Sequence, residues 1–337
     1  MAALKPAPNP TSPAGQILAA DIGGTHARFL LAPVAHGGAA LPGTRVELAS
    51  RGSADIEDLV AAALRRFELQ PPVHIDAMFA VAGPVRDGRA DMTNLSWHAD
   101  AASLRRRFGF GHVDFVNDLE AAARALAEQP PADAALLRGG QSAGDRSVVI
   151  SVGTGLGVAY WSGAGRELRV EASEAGHLGY APTETWELEL LKLLQQRHGE
   201  HVSWERILSG PGLASLDAFG RHGEPTTPAE VAHRAASGNT PALMALKRFS
   251  RLLGVFAGDL AVAAPAANVW LAGGVLAGLG PLFDIRAFLE GFDAKGRVAP
   301  LIQATPVRWT DDGELGLRGA WLAAHHPAYR RELWASP

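Results

Sequence analysis

Cysteine is absent from the 337-residue chain, which excludes disulfides, thiol nucleophiles and cysteine-ligated zinc. A basic surplus is absent too. The formal net charge is −4, so no positive field exists to hold nucleic acid or an anionic membrane, and neither is expected as a partner. Long unbroken apolar runs are also missing. The most apolar region, 255–283, is interrupted by Asp259, Pro265 and Asn268, which predicts a buried helix followed by a strand rather than a membrane span. Residues 1–16 carry Pro6, Pro8, Pro10 and Pro13 without an apolar block, and read as a disordered tail, not a signal peptide. The whole chain is 47% apolar and 20% charged, the balance of a soluble globular protein. The length suits about two domains of roughly 100–200 residues each. A cytoplasmic enzyme is the simplest class.

The apolar pattern predicts two passes of one order. In the first, 17–21 reads as a short buried strand, 27–33 as a second strand after Gly23-Gly24, and 44–48 as a third. Ile56, Leu59, Val60, Ala63, Leu64 and Phe67 recur at helical spacing. A strand at 75–82 ends at Gly83-Pro84, and a strand at 113–117 feeds a helix at 118–128. The second pass opens with a strand at 147–152, a glycine turn and a strand at 158–161. Helices are expected at 186–197, 228–236 and 241–264, a buried strand at 269–271, a last strand at 306–310 and a closing helix at 314–325. Strands alternating with helices mean α/β layers, and the repeated order suggests a duplicated architecture without duplicated sequence. The boundary falls near residue 125.

Two glycine-rich turns hold matching places in the two passes: Ala20-Asp21-Ile22-Gly23-Gly24-Thr25, and Gly153-Thr154-Gly155-Leu156-Gly157. Backbone N–H groups of such turns can converge on phosphate oxygens, since no Cβ blocks close approach. Neither carries the lysine of a Walker loop, and both lead into strand patterns rather than the helix of a Rossmann turn. Each alone reads as a tight hairpin. Jointly, with Asp21, Thr25 and Thr154, they favour phosphate binding. Asn117-Asp118 sits at a strand-to-helix junction. Asn117 with Glu120 fits a capping box, yet strand C-termini in α/β sheets face ligands, where the Asp118 carboxylate can accept a hydroxyl proton. Glu174, His177 and Glu205 offer the acceptors that a polyhydroxylated sugar demands; the plainer readings are a solvated loop and an exposed helix charge. Gly273-Gly274 closes a buried strand and would let an adenine lie against backbone, or is simply a packing turn. His325 and His326 read as surface residues.

With these stretches in view, the chain resembles the bacterial glucokinases of the proteobacterial, non-ROK type, within the actin–hexokinase–Hsp70 ATPase fold. The matching stretches are 21–25, Met-Thr-Asn-Leu-Ser-Trp at 92–97, 116–118, 153–159, Glu-Ala-Gly-His at 174–177, Glu-Arg-Ile-Leu-Ser-Gly-Pro-Gly-Leu at 205–213 and Leu-Ala-Gly-Gly-Val at 271–275. The run 205–213 is especially specific to the group. The resemblance implies two actin-like (ribonuclease H-like) α/β domains around a central cleft, a small one at 17–125 plus 314–330 and a large one at 126–313. It implies Asp118 as catalytic base for a glucose 6-hydroxyl, with Asn117, Asp118, Glu174, His177 and Glu205 holding the sugar. Ala20, Asp21, Ile22, Gly23, Gly24 and Thr25, with Gly153, Thr154 and Gly155, would embrace the phosphates of MgATP. Gly273 and Gly274 would contact adenosine, and Asp21 would orient Mg²⁺ through water. No zinc and a homodimer are implied as well. The chain departs from the family pattern at Ala20, His26, Ala175 and Asp311-Asp312-Gly313, none of which removes a residue with an assigned role. A kinase for another hexose, or a silent sugar sensor on the same fold, are the alternatives.

Overall fold

The computed structural model describes residues 15–33, 43–92, 95–141 and 144–325. Most of the tail read at 1–16, residues Thr93 and Asn94, His326 and the end of the 314–330 segment lie outside them. Two compact units divide the chain: one runs to Gln129 and resumes at Glu314, and the other spans Pro130–Gly313.

The first unit is built on β1 (Gln16–Ile22), β2 (His26–Pro33), β3 (Thr44–Ala49), α1 (Ile56–Arg66) and β4 (Asp76–Val81). A small antiparallel sheet follows, β5 (Val85–Arg86), β6 (Arg89–Met92) and β7 (Trp97–Asp100), then α2 (Ala101–Phe108), β8 (Val113–Asn117) and α3 (Asp118–Glu128). The main sheet has the order β3-β2-β1-β4-β8. β1 is antiparallel to β2 and parallel to β4, and β8 continues the parallel side. A central strand covered on both faces must be apolar throughout, and Ile17 to Ala20 and Ile22 are accordingly buried. α1 starts at Asp55, whose carboxylate accepts from Asp58 N at 2.8 Å. It buries Ile56, Leu59, Val60, Ala63 and Leu64 as one stripe. Phe29, Phe79 and Phe115 fill the core against that stripe.

The second unit contains β9 (Ala135–Arg138), β10 (Arg146–Val152), β11 (Leu156–Ser162), β12 (Arg169–Ser173), α4 (Thr185–His198), α5 (Gly210–Arg221) and α6 (Pro228–Ala236). The 24-residue α7 (Thr240–Ala263), β13 (Ala266–Ala272), α8 (Gly274–Leu279), α9 (Ile285–Asp293) and β14 (Val307–Trp309) complete it. Its sheet has the order β12-β11-β10-β13-β14-β9. β10 is antiparallel to β11 and parallel to β13, and β13 is parallel to β14. Five strands thus repeat the first unit's arrangement. Beneath them, α7 and α9 cross closely because Gly254 and Gly291 leave no Cβ to strike the backbone of Phe288 and Arg251.

The last helix, α10 (Leu315–Ala323), belongs to the first unit and packs on α3 and β1. Gly319 lets its backbone close on the Ala121 carbonyl. His325, read as a surface residue, is half-buried instead: Trp321 O lies 2.7 Å from its Nδ1, and the two rings meet tilted with centroids 4.7 Å apart. Helical spacing of four brings the residues together. Among the described residues, no helix is long and apolar enough to cross a membrane.

Candidate functional site

In the first unit, the β8–α3 junction bears out the capping reading of Asn117. Asn117 is the N-cap of α3, and its Oδ1 accepts from Leu119 N at 2.9 Å and Glu120 N at 3.3 Å. Its Nδ2 donates to Gly83 O at 3.1 Å. Among the described residues three of its four hydrogen-bonding positions are therefore used, and one amide hydrogen remains. Asp118 opens the helix with its Oδ1 accepting from Leu119 N at 2.9 Å.

The first glycine turn joins β1 to β2. Gly23 N donates to His26 O at 3.0 Å. Ala20 and Ile22 are fully buried and paired with a strand on each side, so 23–25 is the part of the turn open to a ligand. Asp21 is half-buried, beside Gly316 of α10. A Cβ on Gly316 would stand 2.7 Å from the Asp21 carboxyl, so the glycine makes room for it. Burial pushes the Asp21 carboxyl up to about 6, against a partial pull downward from the Arg28 guanidinium.

In the second unit the separate stretches meet around Leu156. Gly153 N donates to Gly155 O at 2.9 Å, closing the turn. Thr154 is exposed at its tip. Leu156 N donates to Glu205 Oε2 at 3.0 Å. Gly176, in the 174–177 loop, packs so tightly on Leu156 O that no Cβ fits. That loop is a 3-10 turn over Ala175–His177. Glu174 and His177 stand exposed on it, 3.6 Å apart. Glu205 is half-buried in a 3-10 turn, Trp204–Arg206, and is not the exposed helix charge of the plainer reading. Trp204 anchors this turn, edge-on to Tyr180 at 5.0 Å and tilted on Phe256 at 5.5 Å.

Beside the same turn lies a cavity of about 920 Å³. Gly153 and Thr154 form one wall, Gly210, Pro211 and Ala214 of α5 another, Pro228 and Ala232 of α6 a third, and Gly274, Val275 and Gly278 of α8 the last. An apolar hollow with a few polar groups at its mouth is the usual form of a small-molecule site. Gly273 sits at φ +106° with its α-carbon against the backbone of Val152, a position only glycine fills. Helix α6 was expected at 228–236 and is found there, but the α5 wall escaped sequence reading, although Ser209 is a capping residue that signals a helix start. Inside the first unit is a second hollow of about 1040 Å³, whose walls mix arginines with carboxylates. It contains none of the expected site residues.

The family model for Glucokinase matches residues 18–327. The chain belongs to the glucokinase family. Glucokinase of Caulobacter vibrioides strain NA1000 is 35% identical over 317 residues, 91% of this chain and 94% of that one. Glucokinase of Yersinia pestis strain Pestoides F is 33% identical over 313 residues, 90% and 94% of the two chains. The crystal structure of a glucokinase from an Antarctic psychrotroph superposes with a TM-score of 0.77 at 28% identity, covering 92% of this chain and 99% of that one. The duplicated sheet order is therefore that of the actin-like sugar kinases.

Proposed function

We propose that this glucokinase-family chain transfers the γ-phosphoryl group of ATP to the 6-hydroxyl of D-glucose, giving glucose 6-phosphate and ADP. One observation carries the assignment of residues: the 174–177 loop, the second glycine turn and Glu205 all meet at Leu156. Glu174, His177 and Glu205 offer two carboxylates and an imidazole to sugar hydroxyls, and a site that pairs each hydroxyl rejects analogues lacking one. Asn117 would give the sugar its remaining amide hydrogen. Asp118 would take the 6-hydroxyl proton as that oxygen bonds to the γ-phosphorus. The bond from phosphorus to the ADP oxygen breaks, and its electron pair leaves with ADP. Backbone N–H groups at 23–25 and 153–155 would stabilise the charge on the phosphoryl oxygens. Adenosine would occupy the cavity beside Gly273 and Gly274.

Asp21 suits a magnesium ion held through water. Its carboxyl is charged only against the cost of burial, so a nearby cation would relieve it. No cluster of three or more metal-ligating side chains exists among the described residues, which fits an ion bound chiefly by phosphates and water. When bound, Mg²⁺ would supply neutralisation of phosphate charge. A cytoplasmic homodimer is proposed on the family resemblance, to be read by light scattering of the purified protein.

The reaction is tested by ADP release from MgATP with glucose, mannose, fructose or N-acetylglucosamine. Strong stimulation by glucose, with glucose 6-phosphate as product, is expected. Stimulation by another sugar alone would move the substrate, and saturable glucose binding without turnover with any sugar would refute catalysis.

A further inference from the structure

We infer that the segment 205–210 couples sugar binding to nucleotide binding within the second unit, and that Gly155 is bare so that the Glu205 carboxylate can lie across it. The inference rests on the proposed roles of Glu205 as sugar ligand and of 153–155 as phosphate turn.

The segment grips the turn at both arms. At one arm Glu205 Oε2 accepts the Leu156 N–H at 3.0 Å. At the other, Gly210 N donates to Gly153 O at 2.9 Å. The stretch connecting these arms is stiff. Ile207 and Leu208 are buried, Ile207 N and Leu208 N both donate to Trp204 O, and Ser209 caps α5. A displacement at Glu205 is therefore passed to the turn and to the α5 wall of the cavity rather than absorbed by a loose loop. Among the described residues Glu205 Oε1 has no partner, so one carboxylate oxygen serves the turn and the other is left for a hydroxyl. A sugar on Oε1 fixes the carboxylate, and the fixed carboxylate holds Leu156 N and the turn in their phosphate-ready form. By linkage the nucleotide must then strengthen sugar binding by the same factor.

Gly155 gives a direct test. A Cβ there would stand 2.6 Å from Glu205 Oε2 and 3.4 Å from its Cδ, and meets nothing else within 4 Å. Gly155 lies outside the left-handed region, so alanine fits the backbone and only the end of a flexible side chain must move. Gly155→Ala should therefore fold normally while displacing Glu205. Its effect should fall on the sugar, although the substitution is in the phosphate turn.

Calorimetric titration of wild type with glucose and with a non-hydrolysable ATP analogue should show each tightening the other about tenfold, inside the usual range of coupling between sites. In Gly155→Ala, the Kd for glucose without nucleotide should weaken about tenfold, as for losing one charge-assisted contact. The coupling factor should fall toward one. An unchanged glucose Kd in Gly155→Ala overturns the coupling, whatever happens to nucleotide affinity. Glu205→Ala separates the two levels. If it weakens glucose binding while Gly155→Ala does not, the coupling alone fails. If Glu205→Ala leaves glucose affinity intact, the sugar role of Glu205 fails and the coupling fails with it.

Discussion

Asp21→Asn should make the free protein more stable while removing its activity. In the folded state burial lifts the Asp21 carboxyl from an ordinary 3.8 to about 6. The sign follows from linkage. A carboxyl with a raised folded pKa binds protons more readily folded than unfolded, so stability is lost as pH rises from the unfolded value to the folded one. Above both values the charged form costs the fold about 3 kcal/mol, from roughly two pKa units at 1.36 kcal/mol each. That figure is a ceiling, because the side chain is only half-buried and keeps some water. Asparagine has the same shape and no charge. At pH 8, Asp21→Asn should raise the unfolding midpoint of the ligand-free protein, by at most about 6 °C at roughly 2 °C per kcal/mol for a unit of this size. At pH 5 the gain should shrink to about half, since the wild-type carboxyl is then mostly protonated when folded. Scanning calorimetry at both pH values reads the difference. A variant no more stable than wild type at pH 8, or a gain that does not shrink toward pH 5, would refute the argument. In the same preparation turnover should collapse, because the charge that strains the free protein is the one proposed to orient the cation.

Asp118→Asn should cut kcat about 10²-fold or more with glucose Kd little changed, as expected for loss of a general base; near-normal turnover would reject the role. Glu174→Gln should mainly raise the apparent KM for glucose, by about tenfold for one charged hydrogen bond, and an unchanged KM counts against it. Gly316→Ala places a methyl 2.7 Å from the Asp21 carboxyl, so kcat should fall about tenfold through misplacement while calorimetry shows the glucose Kd intact; equal kcat would mean that Asp21 has room to move.

Local chemistry was readable where one residue type decides the outcome. Helix α3 was expected at 118–128 and is found at Asp118–Glu128, because Asn117 is a strong cap and the apolar spacing starts just behind it. The paired β1–β2 and β10–β11 hairpins were legible for a similar reason: glycine turns followed by strand rather than helix patterns. Short elements were not. β5 has two residues and no period to detect. Helix α9 carried a usable signal that went unread, Asp284 as cap with Ile285, Phe288, Leu289 and Phe292 at helical spacing.

The stretch 205–213 shows why a site is harder to read than a fold. Its Gly-Pro-Gly looks like a chain breaker, yet Ser209 caps Gly212 N at 3.2 Å and a proline in the first helical turn costs nothing, so α5 begins there. Glu205 carries no local sign of its partner, because Leu156 lies 49 residues earlier. Only the tertiary structure reveals that Gly155 lacks a side chain for the sake of Glu205. The two positions constrain each other: a larger residue at 155 evicts the carboxylate, and without the carboxylate Leu156 N loses its acceptor. A motif that holds the proposed sugar ligand, two clips on the proposed phosphate turn and a cavity wall in so few residues leaves little freedom to vary any of them.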